Sequence, residues 1–455
     1  MRERPSLQNQ DAISYKRIFG IGFPIILSTL AQNVIAIADT IFLGNLGEVE
    51  LAAAALAAVF YQVLVMVVFG FGVGAQIVIA RRAGQGKTHE IGSIFQHTLI
   101  FTLFCAAVCL SLFLLSGHRL LPHLVKSQVI LGAVTGYLDI RVYGLPFAFT
   151  MAAFNAFYVG IGKTRSISIA TIVMGVVNVV LDYGLVFGAW GLPRMEMDGA
   201  ALASVIAEAV GVCTYFLLTY FSSFRHTYRP FGHLSFRFKT IGDLIGIAYP
   251  VMIQYFTSFG NYFLFFMFVE SLGQRALAIA NITRSMYTLF LLPIWGFAST
   301  TASLTSYLCG RNRPEEIRIL VKKAFVLATA CISIIVALYL PFNRAILGIF
   351  TNDPGLAADS FGPCMVVIAS TYIMAIAQIV FNTILGRGDT MAGFFIESIN
   401  LVVYFFYALI MIYIRHCSVE AAFGVEIAYT VGLLLFSGIY ILWQKKFGNN
   451  KIRQI

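Results

Sequence analysis

Twelve long, predominantly apolar runs fill this chain, separated by short breaks marked by charge or by Gly and Pro. They fall near 17–43, 52–80, 92–115, 130–160, 166–188, 199–222, 243–269, 276–308, 318–341, 357–385, 391–414 and 420–444. A helix of about 20 apolar residues crosses the hydrocarbon of a bilayer, and backbone that meets lipid must satisfy its own polar groups. The expectation is therefore an all-α polytopic membrane protein of twelve spans. Composition agrees: 59% of the 455 residues are apolar and 11% charged, against about 25% charged in an ordinary soluble domain. That excludes a soluble enzyme and a disordered chain. The polar first 17 residues carry no small-residue cleavage site, so no removable signal peptide is expected.

An even number of crossings places both termini on one side, and the Lys/Arg distribution selects the cytoplasmic side of an inner membrane. With that orientation 23 of the 31 basic residues lie in cytoplasmic segments, 6 lie outside and two, Arg141 and Arg284, fall within spans. The net charge of +10 is thus explained by topology and by contact of the cytoplasmic loops with anionic lipid, without nucleic acid.

A repeat with one fixed spacing divides the chain. Pro24 recurs as Pro250, Leu46-Gly47 as Leu272-Gly273, Gly70 as Gly296, Gly84 as Gly310, Glu90-Ile91 as Glu316-Ile317, and GIGKT (160–164) as GRGDT (386–390), all offset by 226. Two six-span halves follow, parallel and related by an axis along the membrane normal. The expected lobes are 1–222 and 243–444, joined by a cytoplasmic linker at 223–242 and followed by a cytoplasmic tail at 445–455. A substrate path between the lobes is the natural expectation.

Catalytic signatures are missing. ARRAGQGKT (80–88) ends like a phosphate-binding loop but has Arg81 where that loop needs Gly. GFGVG (70–74) lies inside an apolar span, where close helix packing is the expected role. Seven scattered cysteines do not form a disulfide framework, and Cys105 and Cys109, one turn apart, have no His, Asp or Glu beside them. No enzymatic activity and no cofactor are expected.

Ionisable groups at membrane depth carry more information, because they are costly to insert and are usually retained for function. Asp39 lies roughly 6 Å and Asp182 roughly 9 Å from the outer span ends at about 1.5 Å per residue. Gln32 shares a helix face with Asp39, and Asn178 with Asp182. Two carboxylates flanked by carboxamides suit a proton or a monovalent cation. Simple hydrogen bonding at a helix end is the alternative. In the second half Arg284 and Glu397 are the ionisable pair, for which a buried ion pair locking helices is favoured over direct coupling. Glu208 and Glu426 occupy similar places in spans 6 and 12 without an assigned role, and Asp139 and Arg141 are assigned to the outer interface. Pro24 deletes a backbone hydrogen bond in the helix that carries Asp39 and is a candidate hinge, or a static kink.

The segments PIILSTLAQNVIAIADTIFLGNLGEVELAAAALA, ARRAGQGK, FNAFYVGIGKTR and LDYGLVFG…GAALAS, in this order across two halves, resemble the multidrug and toxic compound extrusion (MATE) transporters. The resemblance implies a V-shaped twelve-helix antiporter that exports amphipathic or cationic compounds against inward Na⁺ or H⁺. It implies an ion-coupling set of Asp39, Asp182, Gln32, Asn155 and Asn178, with Tyr137 and Ser204 lining the cavity, and Na⁺, where that is the ion, held at Asp39, Asn178 and Asp182. PVMIQYFTSFGNYF and TYIMAIAQIVFN lack the acids of the NorM-like branch. The acids are therefore DinF-like and place coupling in the first half. The partners implied are small amphipathic molecules, handled by a monomer. A lipid-linked oligosaccharide flippase of the same superfamily is the alternative, which the scarcity of basic residues within spans disfavours. Na⁺ and H⁺ both remain open.

Overall fold

A computed structural model describes residues 13–125, 127–232, 236–351 and 353–447. Among these residues twelve helices are long and apolar enough to cross a membrane. In chain order they are α1 Tyr15–Gly44, α2 Glu48–Gly84, α3 Thr88–His123, α4 Gln128–Gly160, α5 Arg165–Phe187, α6 Glu196–Tyr220, α7 Phe238–Glu270, α8 Gln274–Gly310, α9 Pro314–Gly348, α10 Pro354–Gly386, α11 Thr390–Ile414 and α12 Val419–Lys446. Their order and number match the apolar runs, because in such a chain hydropathy decides helix placement.

The repeat is written into the turns as well as the landmarks. Between α4 and α5 the Lys163 amide bonds the Tyr158 carbonyl, and between α10 and α11 the Asp389 amide bonds the Ile384 carbonyl. Gly162 and Gly388, at φ 68° and 89°, occupy the left-handed position that closes each helix. The α2–α3 and α8–α9 turns repeat the pattern, Lys87 to Arg82 and Arg313 to Leu308. Here the left-handed residue is Gly86 in one half and Asn312 in the other, two of the residue types that tolerate it.

Besides a 3₁₀ start to α9 at Pro314–Glu316 and a break in α10 at Ser360, α4 and α11 depart from a plain span. α4 is interrupted by a 3₁₀ turn at Val142–Gly144, just ahead of Pro146, whose missing N–H cannot continue the ladder. α11 ends in a π-helical turn at Leu409–Ile414.

The described residues separate into two compact units, one holding those within 27–248 and the other 13–26 with 249–447. The boundaries fall inside α1 and α7, two residues after Pro24 and one residue before Pro250. In the first unit the start of α7 packs on α2, where a Cβ on Gly74 would meet the Ala248 backbone at 2.8 Å. In the second unit the start of α1 packs on α8, where a Cβ on Gly22 would meet the Phe297 ring at 2.8 Å. The GFGVG stretch therefore serves close helix approach.

Within the first unit the 223–232 segment is fastened to α3. Gln96 donates to the carbonyls of Pro230 at 3.2 Å and Gly232 at 2.9 Å, and the His97 Nε2 accepts the Arg237 amide at 2.9 Å. Residues 233–235 of the expected linker and 448–455 of the expected tail lie outside the described residues.

Candidate functional site

In the first unit α1 and α5 run side by side and meet at three levels. Ser28 and Thr171 share a hydrogen bond of 2.8 Å between hydroxyls. Gly175 leaves room for the Ile35 side chain, which stands 2.9 Å from where a Cβ would be. Further along, the carboxyls of Asp39 and Asp182 face each other closely enough to interact directly. The intervals along α1, seven and then four residues, and along α5, four and then seven, keep all three levels on one helix face. Two carboxyls in direct contact repel when both are ionised. Asp182 is fully buried and Asp39 half-buried, so Asp39 is the more accessible of the two.

Asn178 is buried one turn before Asp182, and Tyr137 is buried on α4 within electrostatic reach of both acids. Gln32 lies on the exposed face of α1 and Ser204 is half-buried one turn before Glu208. Asn155 is held elsewhere, its side-chain carbonyl accepting the Tyr215 hydroxyl at 2.6 Å. The structure thus brings Asp39, Asp182, Asn178 and Tyr137 into one region and ties Asn155 to α6.

Arg141, expected at the outer interface, and Glu208, to which the sequence assigns no role, form a buried ion pair. Arg141 Nη1 donates to Glu208 Oε2 at 3.0 Å and Nη2 to Oε1 at 2.5 Å. The Tyr61 ring covers the guanidinium, 3.8 Å from its carbon to the ring centroid. The break in α4 makes this possible: a Cβ on Gly144 would meet the Arg141 guanidinium, and the Glu208 carboxylate at 2.5 Å. Arg141 is also within electrostatic reach of Asp39. Asp139, two residues away, does face outward, against His118 at 3.2 Å.

In the second unit the expected Arg284–Glu397 ion pair is not formed. Arg284 stands on the exposed side of α8 with its guanidinium 5.3 Å from the Phe266 ring. Glu397 is buried on α11 and accepts from Tyr429 at 2.7 Å and Ser258 at 3.2 Å, both neutral. The two are separated because the α8 face that turns inward carries Thr283 and Tyr287 instead. Tyr287 does in its half what Tyr61 does in the first: displaced by the repeat spacing, it donates to Glu426 at 3.0 Å as Tyr61 reaches Glu208. In place of an arginine, Tyr404 supplies the second donor, at 3.4 Å. Among the described residues no group of three or more His, Cys, Asp or Glu gathers as for a multivalent metal, and all seven cysteines are free.

The comparisons follow the same two-fold plan. The MatE family sequence model matches residues 24–184 and again 250–410. The chain is 24% identical over 392 residues to a probable multidrug resistance protein NorM of Thermotoga maritima, covering 85% of this chain and 83% of that one. It is 29% identical over 360 residues to the multidrug resistance protein NorM of Burkholderia vietnamiensis, covering 77% and 76%. Among solved structures, an outward-facing multidrug resistance MATE family transporter of the MOP superfamily superposes with a TM-score of 0.85 at 19% identity, covering 98% of both chains. A MOP superfamily transporter from Pyrococcus furiosus gives 0.84 at 19% identity with the same coverage. The two matched segments begin at Pro24 and Pro250 and end at Gly184 and Ile410, in the register of the chain's own repeat. The chain belongs to the MatE family of membrane transporters.

Proposed function

We propose that this transporter is a secondary active exporter of amphipathic or cationic organic compounds, driven by inward movement of H⁺ or Na⁺ through the Asp39–Asp182 centre of its first half. The observation that carries the reading is the facing carboxyl pair, Asp39 on α1 and Asp182 on α5, inside membrane-spanning helices. Support for the substrate class comes from the relatives, which are named multidrug resistance proteins.

A pair that shares one proton is a two-state element. Loss of that proton leaves two adjacent negative charges that repel and separate the helices, unless a cation with Asn178 as a further oxygen ligand replaces it. Na⁺, where it is the ion, is held by Asp39, Asn178 and Asp182. Coupling requires that the loaded and unloaded centres bind substrate differently. Tyr137 and Ser204 border the substrate cavity, Gln32 and Asn155 extend the polar path along α1 and α4, and the Arg141–Glu208 pair fixes α4 against α6 beside the acids. Pro24 is the hinge of α1, since its missing N–H weakens the ladder below Asp39.

The chain resides in the inner membrane with both termini cytoplasmic, its basic loops against anionic lipid, and works as a monomer of two lobes, 1–222 and 243–444. In proteoliposomes, an imposed Na⁺ or H⁺ gradient drives a fluorescent lipophilic cation uphill and so names the ion. Absence of uphill movement under both gradients, with folded protein, would overturn the reading.

A further inference from the structure

The backbone ahead of α1 and the backbone ahead of α7 are fastened at the same repeat position with different chemistry. Displaced by 226, His97 on α3 becomes Lys323 on α9. Lys323 Nζ donates to the Ile13 carbonyl, just ahead of α1, at 2.7 Å. His97 Nε2 accepts the Arg237 amide, just ahead of α7, at 2.9 Å. An ammonium donates in its charged form, whereas an imidazole nitrogen accepts only while the ring is neutral.

The His97 contacts fix where its proton sits. The side chain is 0% exposed, with Nδ1 2.7 Å from the Ser93 carbonyl. A carbonyl can only accept and an amide can only donate, so Nδ1 carries the hydrogen and Nε2 the lone pair. A second proton has only Nε2 to occupy, where it meets the Arg237 N–H. Two donors then face each other in a buried site, and the hydrogen bond is replaced by repulsion.

The segment crosses α3 at three places. A Cβ on Gly92 would meet the carbonyl oxygens of Tyr228 and Arg229, and Gln96 holds those of Pro230 and Gly232. At the third, the Phe236 ring stacks on the imidazole with centroids 5.7 Å apart. Of these contacts the one through His97 titrates. No carboxylate is at hand to hold the second proton. Glu90 on α3 is taken by Arg82 at 3.0 Å and Lys87 at 3.5 Å. Tyr158 on α4 bonds Thr219 at 2.6 Å. Arg81 on α2, His226, Arg229 and Arg237 on the segment and Asp243 on α7 form no ion pair with His97 among the described residues. An imidazolium left in this contact is a buried charge without a partner, so the ring gains its proton as the segment lifts into solvent.

We propose that His97 is a pH-sensitive latch on the segment between the two halves of the sequence: neutral, it docks the entry of α7 onto α3, and protonated, it releases that entry. Histidine changes charge between about pH 5 and 8, so acidification on the side of the membrane that bears the segment works the latch. The device lies apart from the Asp39–Asp182 centre and does not rest on its role.

The test is hydrogen–deuterium exchange of the purified full chain from about pH 8 to about pH 5, read as protection factors so that the intrinsic pH dependence of exchange is removed. The reporters are the Arg237 amide and the amides of Thr240 and Ile241, which bond the Arg237 carbonyl at 3.0 and 3.4 Å. Their protection is expected to fall by about 10-fold toward the acid end, the worth of one buried hydrogen bond turned to repulsion. His97→Gln, whose amide oxygen accepts without titrating, keeps protection throughout, and His97→Lys, which copies the other half, loses it throughout. His226→Gln and Asp39→Asn/Asp182→Asn leave the native response in place. Protection in the native chain that does not change with pH would overturn the proposal. So would a response that survives His97→Gln, or one that His226→Gln or Asp39→Asn/Asp182→Asn abolishes.

Discussion

Replacing Arg141 with Met removes the cation that faces the Glu208 carboxylate across two hydrogen bonds, of 3.0 and 2.5 Å. The side chains of the pair are only 12% and 14% exposed, so water screens them little. With charge centres about 4 Å apart and an effective dielectric near 20, their attraction is about 4 kcal/mol. That agrees with the roughly 3–5 kcal/mol lost when one partner of a buried pair is removed. Arg141→Met is therefore expected to destabilise the protein by about 4 kcal/mol, much of it the cost of a stranded carboxylate. Arg141→Met with Glu208→Met, which strands nothing, should recover most of this and give a coupling energy of about 3 kcal/mol. Equilibrium unfolding in mixed micelles titrated with SDS measures the four corners of the cycle. A double variant as unstable as the sum of the two single ones, with coupling under about 0.5 kcal/mol, would refute the assignment of Arg141 to Glu208.

Other expectations follow from single contacts. Gly144→Ala inserts a Cβ between the locked Arg141 and Glu208 side chains and should cost about 1–3 kcal/mol in the same titration. That cost should largely vanish in the Arg141→Met/Glu208→Met background. Gly74→Val drives a side chain into the Ala248 backbone, which cannot yield, and should lower thermal stability more than Gly260→Val, which faces open space. Tyr215→Phe orphans the Asn155 carbonyl and should cost about 1–3 kcal/mol by chemical unfolding. Asp353, in the α9–α10 turn, is held below its usual 3.8, chiefly by the Gly355 amide and then the Leu356 amide, with Arg275 adding to them. A depressed carboxyl contributes stability above its unfolded value and loses it as pH falls through the folded one. Hydrogen-exchange protection of Pro354–Asp359 should therefore be flat at neutral pH and erode below 3.8, with Asp353→Asn removing the pH dependence.

Span number and order were legible in the sequence because hydropathy acts over some 20 residues at once and no other signal competes with it. The repeat was legible because turns demand specific residues: Gly162 and Gly388 stand at the same offset since both close a helix in a left-handed conformation. The proximity of Asp39 and Asp182 came from resemblance rather than spacing, for nothing local to α1 says which helix it lies against. Arg141 was misplaced for a related reason. Two residues from Asp139, it reads as part of one polar patch, and only the 3₁₀ turn at Val142–Gly144 turns it toward α6. Its signal was present in Gly144-x-Pro146 within an apolar run and in the unmatched Glu208. Pairing Arg284 with Glu397 by opposite charge within one half ignores helix rotation; the inward face of α8 belongs to Thr283 and Tyr287.

The most direct test of the central claim compares native protein with the Asp39→Asn/Asp182→Asn variant in the same proteoliposomes, following both uphill export under an ion gradient and gradient-free exchange of labelled substrate. The account predicts that the variant keeps exchange, because the substrate path is intact, and loses uphill export entirely. Uphill export retained by the variant would contradict it.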